Sequence, residues 1–352
     1  MILFLSKYPE KDQEFQDGFY QRVMNIDSLF DETQKIYLDV KFFGNWKKYH
    51  KVEHNRILLY CNVFLHFTII ISSFKNSKLV YIQSLYNLLY TFPFLKIFKK
   101  KYILDLHGIV PEELKMLNKN NMAFILNFIE RFTFRDLDTI IGVSQNLIEF
   151  YKKKYPHFKE IKSIVYSIFP NNLTKITELE LFEMSQSETV NFIYSGNLQP
   201  WQNIDLMIDL IRNLSHQDNF CFQILTGNVE LMKKKFENKN IISNKINIKS
   251  VHPDELVEYY KEAHYGFILR DDIDINNVAC PTKLIEYMNY GVIPIVLSEN
   301  IGDFKNLNYE RVLHTEISNI NKPSKSKANV EIIHNLYFQN EKSKLLIKNL
   351  YK

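Results

Sequence analysis

Apolar runs suited to β-strands alternate with longer stretches of helical period along nearly the whole chain, in two series separated by one polar stretch. The first series holds ILFLS (2–6), KLVYIQ (78–83), KYILDL (101–106), DTIIGV (138–143) and SIVYSIF (163–169). MAFILNFIERFTF (122–134) and SQNLIEFYKKKY (144–155) have the helical period, and Ser144 stands where a helix cap belongs. The second series holds VNFIYS (190–195), FCFQIL (220–225), KINIK (245–249), YGFIL (265–269) and VIPIVL (292–297). Strands apolar along their whole length, separated by helices, indicate parallel sheets covered on both faces. The chain is therefore expected to be α/β, with two Rossmann-like doubly wound domains facing a central cleft. The expected boundaries are 1–169 for the first domain, 170–189 for a linker (PNNLTKITELELFEMSQSET) and 190–328 for the second domain. A C-terminal helix near 329–352 is expected to pack back on the first domain. Ligands in such folds bind outside the carboxyl ends of the strands.

At 352 residues the chain exceeds one ordinary core, which agrees with two domains. Its net charge of +4 is small for this length and its basic residues are mixed with acids, so no nucleic-acid partner is expected. Three cysteines far apart in sequence, none in a CxxC pair, fit a reducing compartment and argue against a zinc site. MILFLSKYPEKD lacks a basic segment ahead of its short apolar run and is taken as a first strand, with the cytoplasm as the expected location. ILLYCNVFLHFTIIISSF (57–74) is long enough to cross a bilayer, but Asn62, His66 and Thr68 interrupt it, and a buried helix is expected instead. KIFKKK (96–101), with aromatic residues nearby, is a candidate for peripheral contact with an anionic membrane at the inner face of the cell membrane; a solvated helix end is the alternative.

Four strand ends carry chemistry. LDLHGIVPEE places His107 and Gly108 after a strand, where an imidazole exchanges hydrogen bonds beside a backbone that permits close approach. IYSGNLQPWQN places Gly196 after the first strand of the second series, followed by Asn197, Trp201, Gln202 and Asn203, which either recognise a polar ligand or cap the next helix. FILRDDIDINN places Arg270 after a strand, where its fork suits a phosphate unless Asp271, Asp272 or Asp274 pairs with it. CPTKLIEYMNYG is the fourth. Pro281, Thr282 and Lys283 start a helix, with Thr282 or Cys280 near the cap, and free N–H groups at such an end favour an anion. Glu286 falls one turn after Lys283 on roughly the same face. A carboxylate there suits paired sugar hydroxyls, as on a nucleotide ribose; a plain surface ion pair is the alternative.

Three pieces in order, VNFIYSGNLQPWQNIDLMIDLI, HPDELVEYYKEAHYGFILRDD and ACPTKLIEYMNYGVIPIV, resemble the family 4 type of glycosyltransferases of the GT-B fold. KYILDLHG and NFIERFTFRDLDTIIGVSQNLIEFYKKKY extend the likeness into the first half. The resemblance implies that Glu286 binds the ribose of a nucleotide-sugar, that Pro281, Thr282 and Lys283 meet its diphosphate, and that Gly196, Asn197 and Gln202 line the donor site. It also places His107 by the transferred sugar and Gly18 (FQDGFYQRV) in the acceptor-side loop. Three departures stand out. Members commonly have two glutamates separated by seven residues, and the first position is Val278 here, with Asp272, Asp274 or Asn277 as substitutes. The arginine and lysine usual after the YxG strand are Asn197 and Gln202, so Arg270 and Lys283 are the candidates to steady the leaving diphosphate. The asparagine–glycine turn often seen at the end of the first half is YSIFPNN.

The implied reaction is sugar transfer from a nucleotide diphosphate donor to a glycan or lipid-linked glycan acceptor, with retention and without metal or other cofactor. His107, Arg270 and Lys283 are the catalytic candidates. The Lys-, Asn- and Ile-rich composition suggests bacterial O-antigen or capsule synthesis. Two rivals stay open: a GT-B partner subunit without catalysis, and a metal-dependent GT-A enzyme using DID (272–274), a pattern that DLD (136–138) matches equally well.

Overall fold

The computed structural model describes residues 1–15, 17–156, 161–167, 169–170 and 174–351. It divides into two compact units, Met1–Ile168 with Gln339–Lys352, and Phe169–Phe338.

The first unit is built on strands β1 (Ile2–Leu5), β2 (Lys35–Lys41), β3 (Tyr49–Glu53), β4 (Arg56–Asn62), β5 (Leu79–Gln83), β6 (Lys101–Leu106), β7 (Thr139–Gly142) and β8 (Lys162–Val165). They form one sheet in the order β3-β4-β2-β1-β5-β6-β7-β8, parallel except for β3 against β4. β1, β5 and β7 are buried along their whole length, without an exposed face, which explains their continuous apolar runs. Ser144 caps the helix Gln145–Lys154, its Oγ accepting from Leu147 N at 3.0 Å. Ile347 and Leu350, from the end of the long helix Lys327–Lys348 and just beyond, join this unit's core. The Tyr351 hydroxyl accepts from the Met1 ammonium at 2.7 Å.

Residues 57–74 correct the expectation of one buried helix. They split into β4 and a helix Phe67–Asn76, and the break is made by Asn62. Its Oδ1 accepts from Phe64 N and Leu65 N at 3.0 and 3.2 Å, turning the chain as an Asx turn does. Among the described residues no helix is long and apolar enough to cross a membrane.

The second unit holds β9 (Val190–Ser195), β10 (Phe220–Leu225), β11 (Ile246–Lys249), β12 (Tyr265–Ile268), β13 (Ile293–Val296) and β14 (Val312–Leu313), all parallel, in the order β11-β10-β9-β12-β13-β14. The order reverses at β9, so the carboxyl ends of β9 and β12 flank a switch point where such sheets take ligands. The stretch 170–189 is more than a connector. Thr177 and Glu180 form a reciprocal capping box that starts the helix Glu178–Ser185, and Leu181 packs into this unit's core. The expected strand 163–169 is confined to β8; residue 168, and residues 171–172 of the YSIFPNN turn, lie outside the described residues.

Candidate functional site

The helix Thr282–Asn289 is placed by its two ends. Pro281, its fixed φ at −68°, occupies the cap and its carbonyl accepts from Leu284 and Ile285, so the cap is neither Thr282 nor Cys280. At the other end Gly291 takes φ +69°, its N–H bonding Met288 O while Val292 N–H bonds Tyr287 O. This reciprocal closure needs a left-handed residue and returns the chain to β13. The N–H groups of Thr282 and Lys283 are left without intrahelical acceptors, as in any first helical turn.

Lys283 and Glu286 then project beside a cavity of about 270 Å³ lined by Ser195, Gly196, Leu225, Thr226, Tyr260 and Glu286 among others. Lys283 Nζ lies 4.3 Å from the Tyr194 ring centroid and 3.4 Å from Gln202 Oε1. Burial, with the neighbouring charge of Arg270, lowers its ammonium to a pKa of about 7 against the opposing pull of Glu286. Burial lowers the Arg270 guanidinium to about 10 despite nearby Tyr194 and Cys280, so it stays cationic at neutral pH. Among the described residues no carboxylate comes within ion-pair distance of Arg270 or Lys283. Arg270 Nη1 donates to Asn276 Oδ1 at 3.5 Å. The three aspartates that follow it do not pair with it; Asp272 instead accepts from Asn277 and Asn300 at 2.8 and 2.6 Å.

Glu286 is raised to about 7 by burial, which outweighs the Tyr260 hydroxyl bond at 3.1 Å and the charge of Lys283. Tyr260 OH also meets Ser195 Oγ at 2.9 Å, and Ser195 N–H donates to Tyr287 OH at 3.0 Å. This chain of hydroxyls ties the end of β9 to two helices and holds the carboxylate's position. Gly196 closes the site. Its φ is +151°, and a Cβ there would stand 2.4 Å from Lys283 Nζ, so a side chain would displace the ammonium.

The structure thus brings Gly196, Gln202, Thr282, Lys283 and Glu286 together, with Pro281 as cap and Arg270 beside Lys283. Asn197 is exposed, its carbonyl taken by the Tyr194 hydroxyl. Asn203 occupies the cap of the helix Ile204–Leu214 with φ +48°, but its side chain makes no cap bond and donates instead to Leu269 O at 3.0 Å. Val278 is buried, and neither Asp272, Asp274 nor Asn277 lines the cavity. Ser195, Leu225, Thr226, Gly227, Val251, Leu256 and Tyr260 were missed by the sequence reading. Leu225 ends β10, Thr226 and Gly227 follow it, and Val251 follows β11, so the strand-end rule would have found them. Tyr260 lies on a helix and carries no such signal.

His107 and Gly18 belong to the first unit. His107 Nε2 is 3.1 Å from Gln83 Oε1, and its ring centroid is 5.0 Å from that of Phe19. Burial, opposed by Asp105 and reinforced by Arg22, lowers its imidazole to about 4. Gly18 is a correction: it opens the helix Gly18–Asp27 rather than sitting in a loop, with Asp17 as cap, and a Cβ there would meet nothing within 4 Å. That helix is anchored by Arg22, fully buried, which holds Asp105 through Nε and Nη2 at 2.9 and 2.7 Å. Among the described residues no group of three or more His, Cys, Asp or Glu is arranged to hold a metal ion.

No family model matches the chain, and no curated protein matches it. Solved structures do. Sucrose-phosphate synthase from Thermosynechococcus elongatus aligns with a TM-score of 0.68 at 12% identity, over 99% of this chain and 97% of its own. The E. coli trehalose-6-phosphate protein bound with UDP-2-fluoro glucose aligns with a TM-score of 0.63 at 9% identity, over 100% and 99%. Anabaena HepE in complex with UDP-glucose aligns with a TM-score of 0.59 at 14% identity, over 99% and 92%. The likeness is one of fold: two Rossmann-like, parallel-sheet domains of the GT-B class. It also sets aside the single-domain GT-A alternative.

Proposed function

We propose that the chain is a nucleotide-sugar-dependent glycosyltransferase. The observation that carries this is two neighbouring basic side chains, Lys283 and Arg270, held beside a helix start with no carboxylate within ion-pair distance among the described residues, one turn from a buried carboxylate. Like charges kept together without a counter-ion are costly unless an anion joins them. A diphosphate fits the cations and the free N–H groups of Thr282 and Lys283. Glu286 then accepts from the ribose hydroxyls, and Leu225, Val251 and Leu256 offer the apolar wall a flat base requires. UDP and UDP-sugars are bound in several proteins of the same fold, which supports a donor of this class.

In the reaction, the bond from the sugar's anomeric carbon to the diphosphate oxygen breaks and the bond to the acceptor oxygen forms. The acceptor's proton passes to the departing phosphate, and retention follows from attack on the face the phosphate leaves. Lys283, Arg270 and the helix start stabilise charge growing on the diphosphate. His107, neutral at pH 7, is assigned to the transferred sugar as a hydrogen-bonding group. No residue in this scheme requires a metal. The acceptor is a glycan or lipid-linked glycan of a bacterial O-antigen or capsule pathway, and the protein works peripherally at the cytoplasmic face of an anionic membrane.

The buried Val278, where relatives by resemblance carry a carboxylate, favours one second reading: a partner subunit that binds nucleotide without turning it over. A calorimetric screen of nucleoside diphosphates and nucleotide-sugars against wild type and Glu286→Ala tests the proposal. The expected result is binding of at least one donor by wild type and a loss of tenfold or more, about 1.4 kcal/mol, in the variant. Equal affinity of both overturns the ribose assignment, and binding without donor hydrolysis or transfer favours the partner subunit.

A further inference from the structure

The first unit exposes aromatic residues on two short loops at the carboxyl ends of β2 and β4. Phe43 is 86% exposed, Trp46 61%, Phe64 67% and Leu65 62%. Scattered exposed apolar residues are ordinary, but these four belong to one built feature. Asn62 donates to Phe42 O and Gly44 O at 2.9 and 3.1 Å while accepting from Phe64 N and Leu65 N, so one side chain fastens both loops. Asn45 adds weaker bonds to Asp39 O and Cys61 O. Phe42 bridges the loops, its ring 4.9 Å from Phe64 and 5.2 Å from Tyr90. The aromatic tips are held out by hydrogen bonds rather than left loose.

Charge identifies what would cover them. Lys41, at the end of β2, and Lys47 and Lys48, on the loop that follows it, are exposed. Lys47 and Lys48 make no ion pair among the described residues. The nearby carboxylates are already engaged: Asp39 on β2 with Lys41 and Asn45, and Glu10, in the segment after β1, with Tyr49, Tyr60 and Lys51. Three of the four lysines of KIFKKK are, by contrast, turned to their own chain, and Lys99 is exposed. Lys96 donates to Phe132 O and Asp136, Lys100 to Lys75 O, and Lys101 to Leu350 O. Aromatic tips beside Lys47 and Lys48, two lysines without an ion pair among the described residues, suit the headgroup layer of an anionic bilayer, where rings enter the interface and ammonium groups meet lipid phosphates.

We propose that the loop pair Phe42–Lys48 and Val63–Phe67 is a membrane-docking surface that places Phe43, Trp46, Phe64 and Leu65 in the headgroup region of an anionic bilayer, with Lys47 and Lys48 on its phosphates. The proposal rests on the membrane contact named above for its partner; its location is carried by these residues alone.

The test is co-sedimentation of the full chain with vesicles of phosphatidylcholine alone or mixed with phosphatidylglycerol. Wild type is expected to bind the mixed vesicles, with affinity falling as salt rises. Phe43→Ser/Trp46→Ser should bind at least about tenfold more weakly, and Lys47→Glu/Lys48→Glu likewise at low salt. Only two tryptophans are present, so Trp201→Phe leaves Trp46 as a single reporter whose emission should shift to the blue on mixed vesicles alone. Wild type that binds no vesicle overturns membrane contact altogether. Wild-type-like binding by Phe43→Ser/Trp46→Ser overturns this surface and leaves membrane contact standing elsewhere. A vesicle-independent dimer abolished by the same variant would assign the loops to a second copy of the chain.

Discussion

Lys283 and Glu286 are perturbed in opposite directions by the same cause, loss of water, and this makes their pH behaviour readable. The ammonium falls from its ordinary 10.5 to about 7, so the folded, empty protein binds fewer protons than the unfolded chain between those values. Its contribution to stability is unfavourable below pH 7 and is relieved as pH rises toward 10.5. Glu286, raised from 4.5 to about 7, behaves inversely: the folded state holds the extra proton, and stability falls as pH rises across that window. Lys283→Met should therefore melt higher than wild type near pH 6, with the gap closing toward pH 10, while its affinity for a nucleoside diphosphate drops more than tenfold. Thermal melts across pH together with calorimetric titration check both halves. A lysine kept at a stability cost and needed for an anion is the expected mark of a binding group. These residues were legible because each stands at a strand end or a helix start. Tyr260, which positions the carboxylate, was not: it lies within a helix, and its contact with Ser195 joins residues 65 apart in sequence.

Among the elements, β12 and the helix Thr282–Asn289 are packed at the limit of closeness. A Cβ on Gly266 would lie 2.4 Å from the Tyr287 ring, whose hydroxyl receives the Ser195 N–H. Gly266→Ala must push that ring aside, and should cost about 1–3 kcal/mol of stability by overpacking. Because Tyr287 leads to Ser195 and the end of β9, the same change should also weaken nucleotide binding, whereas an exposed change such as Ile242→Ala should leave both untouched. Chemical denaturation and titration of the two variants compare them directly. The elements themselves were largely written in the pattern of apolar runs, and β9 and β10 begin and end where the sequence indicates. The β2–β4 region was not, because β3 is exposed along its length and β4 runs into a helix through an Asx turn that looks from composition like one long apolar segment.

For the molecule as a whole, each unit carries its own core, and the first is organised around a buried ion pair. Asp105 takes three bonds from Arg22, two from Nε and one from Nη2, and one from Tyr81 OH at 2.9 Å, with no water-facing surface. Asp105→Ala leaves a buried guanidinium unpaired and should cost the first unit about 3–5 kcal/mol. Replacing both partners, as Arg22→Met/Asp105→Leu, should cost less. Hydrogen exchange gives the readout: amides of β1, β5 and β6 should lose protection in the single variant while those of β9, β10 and β12 keep theirs. Neither partner was singled out from sequence, since an arginine inside FQDGFYQRV and an aspartate ending KYILDL announce nothing about each other across 83 positions.

The Tyr351–Met1 bond gives the two units unlike histories at the ribosome. The second unit is one unbroken stretch of chain and can complete its core as soon as that stretch has emerged. The first unit precedes it in the chain yet lacks Ile347 and Leu350 until the second unit has been made. The unit that starts first is therefore finished last, and it must wait with part of its apolar core uncovered while its neighbour is being built.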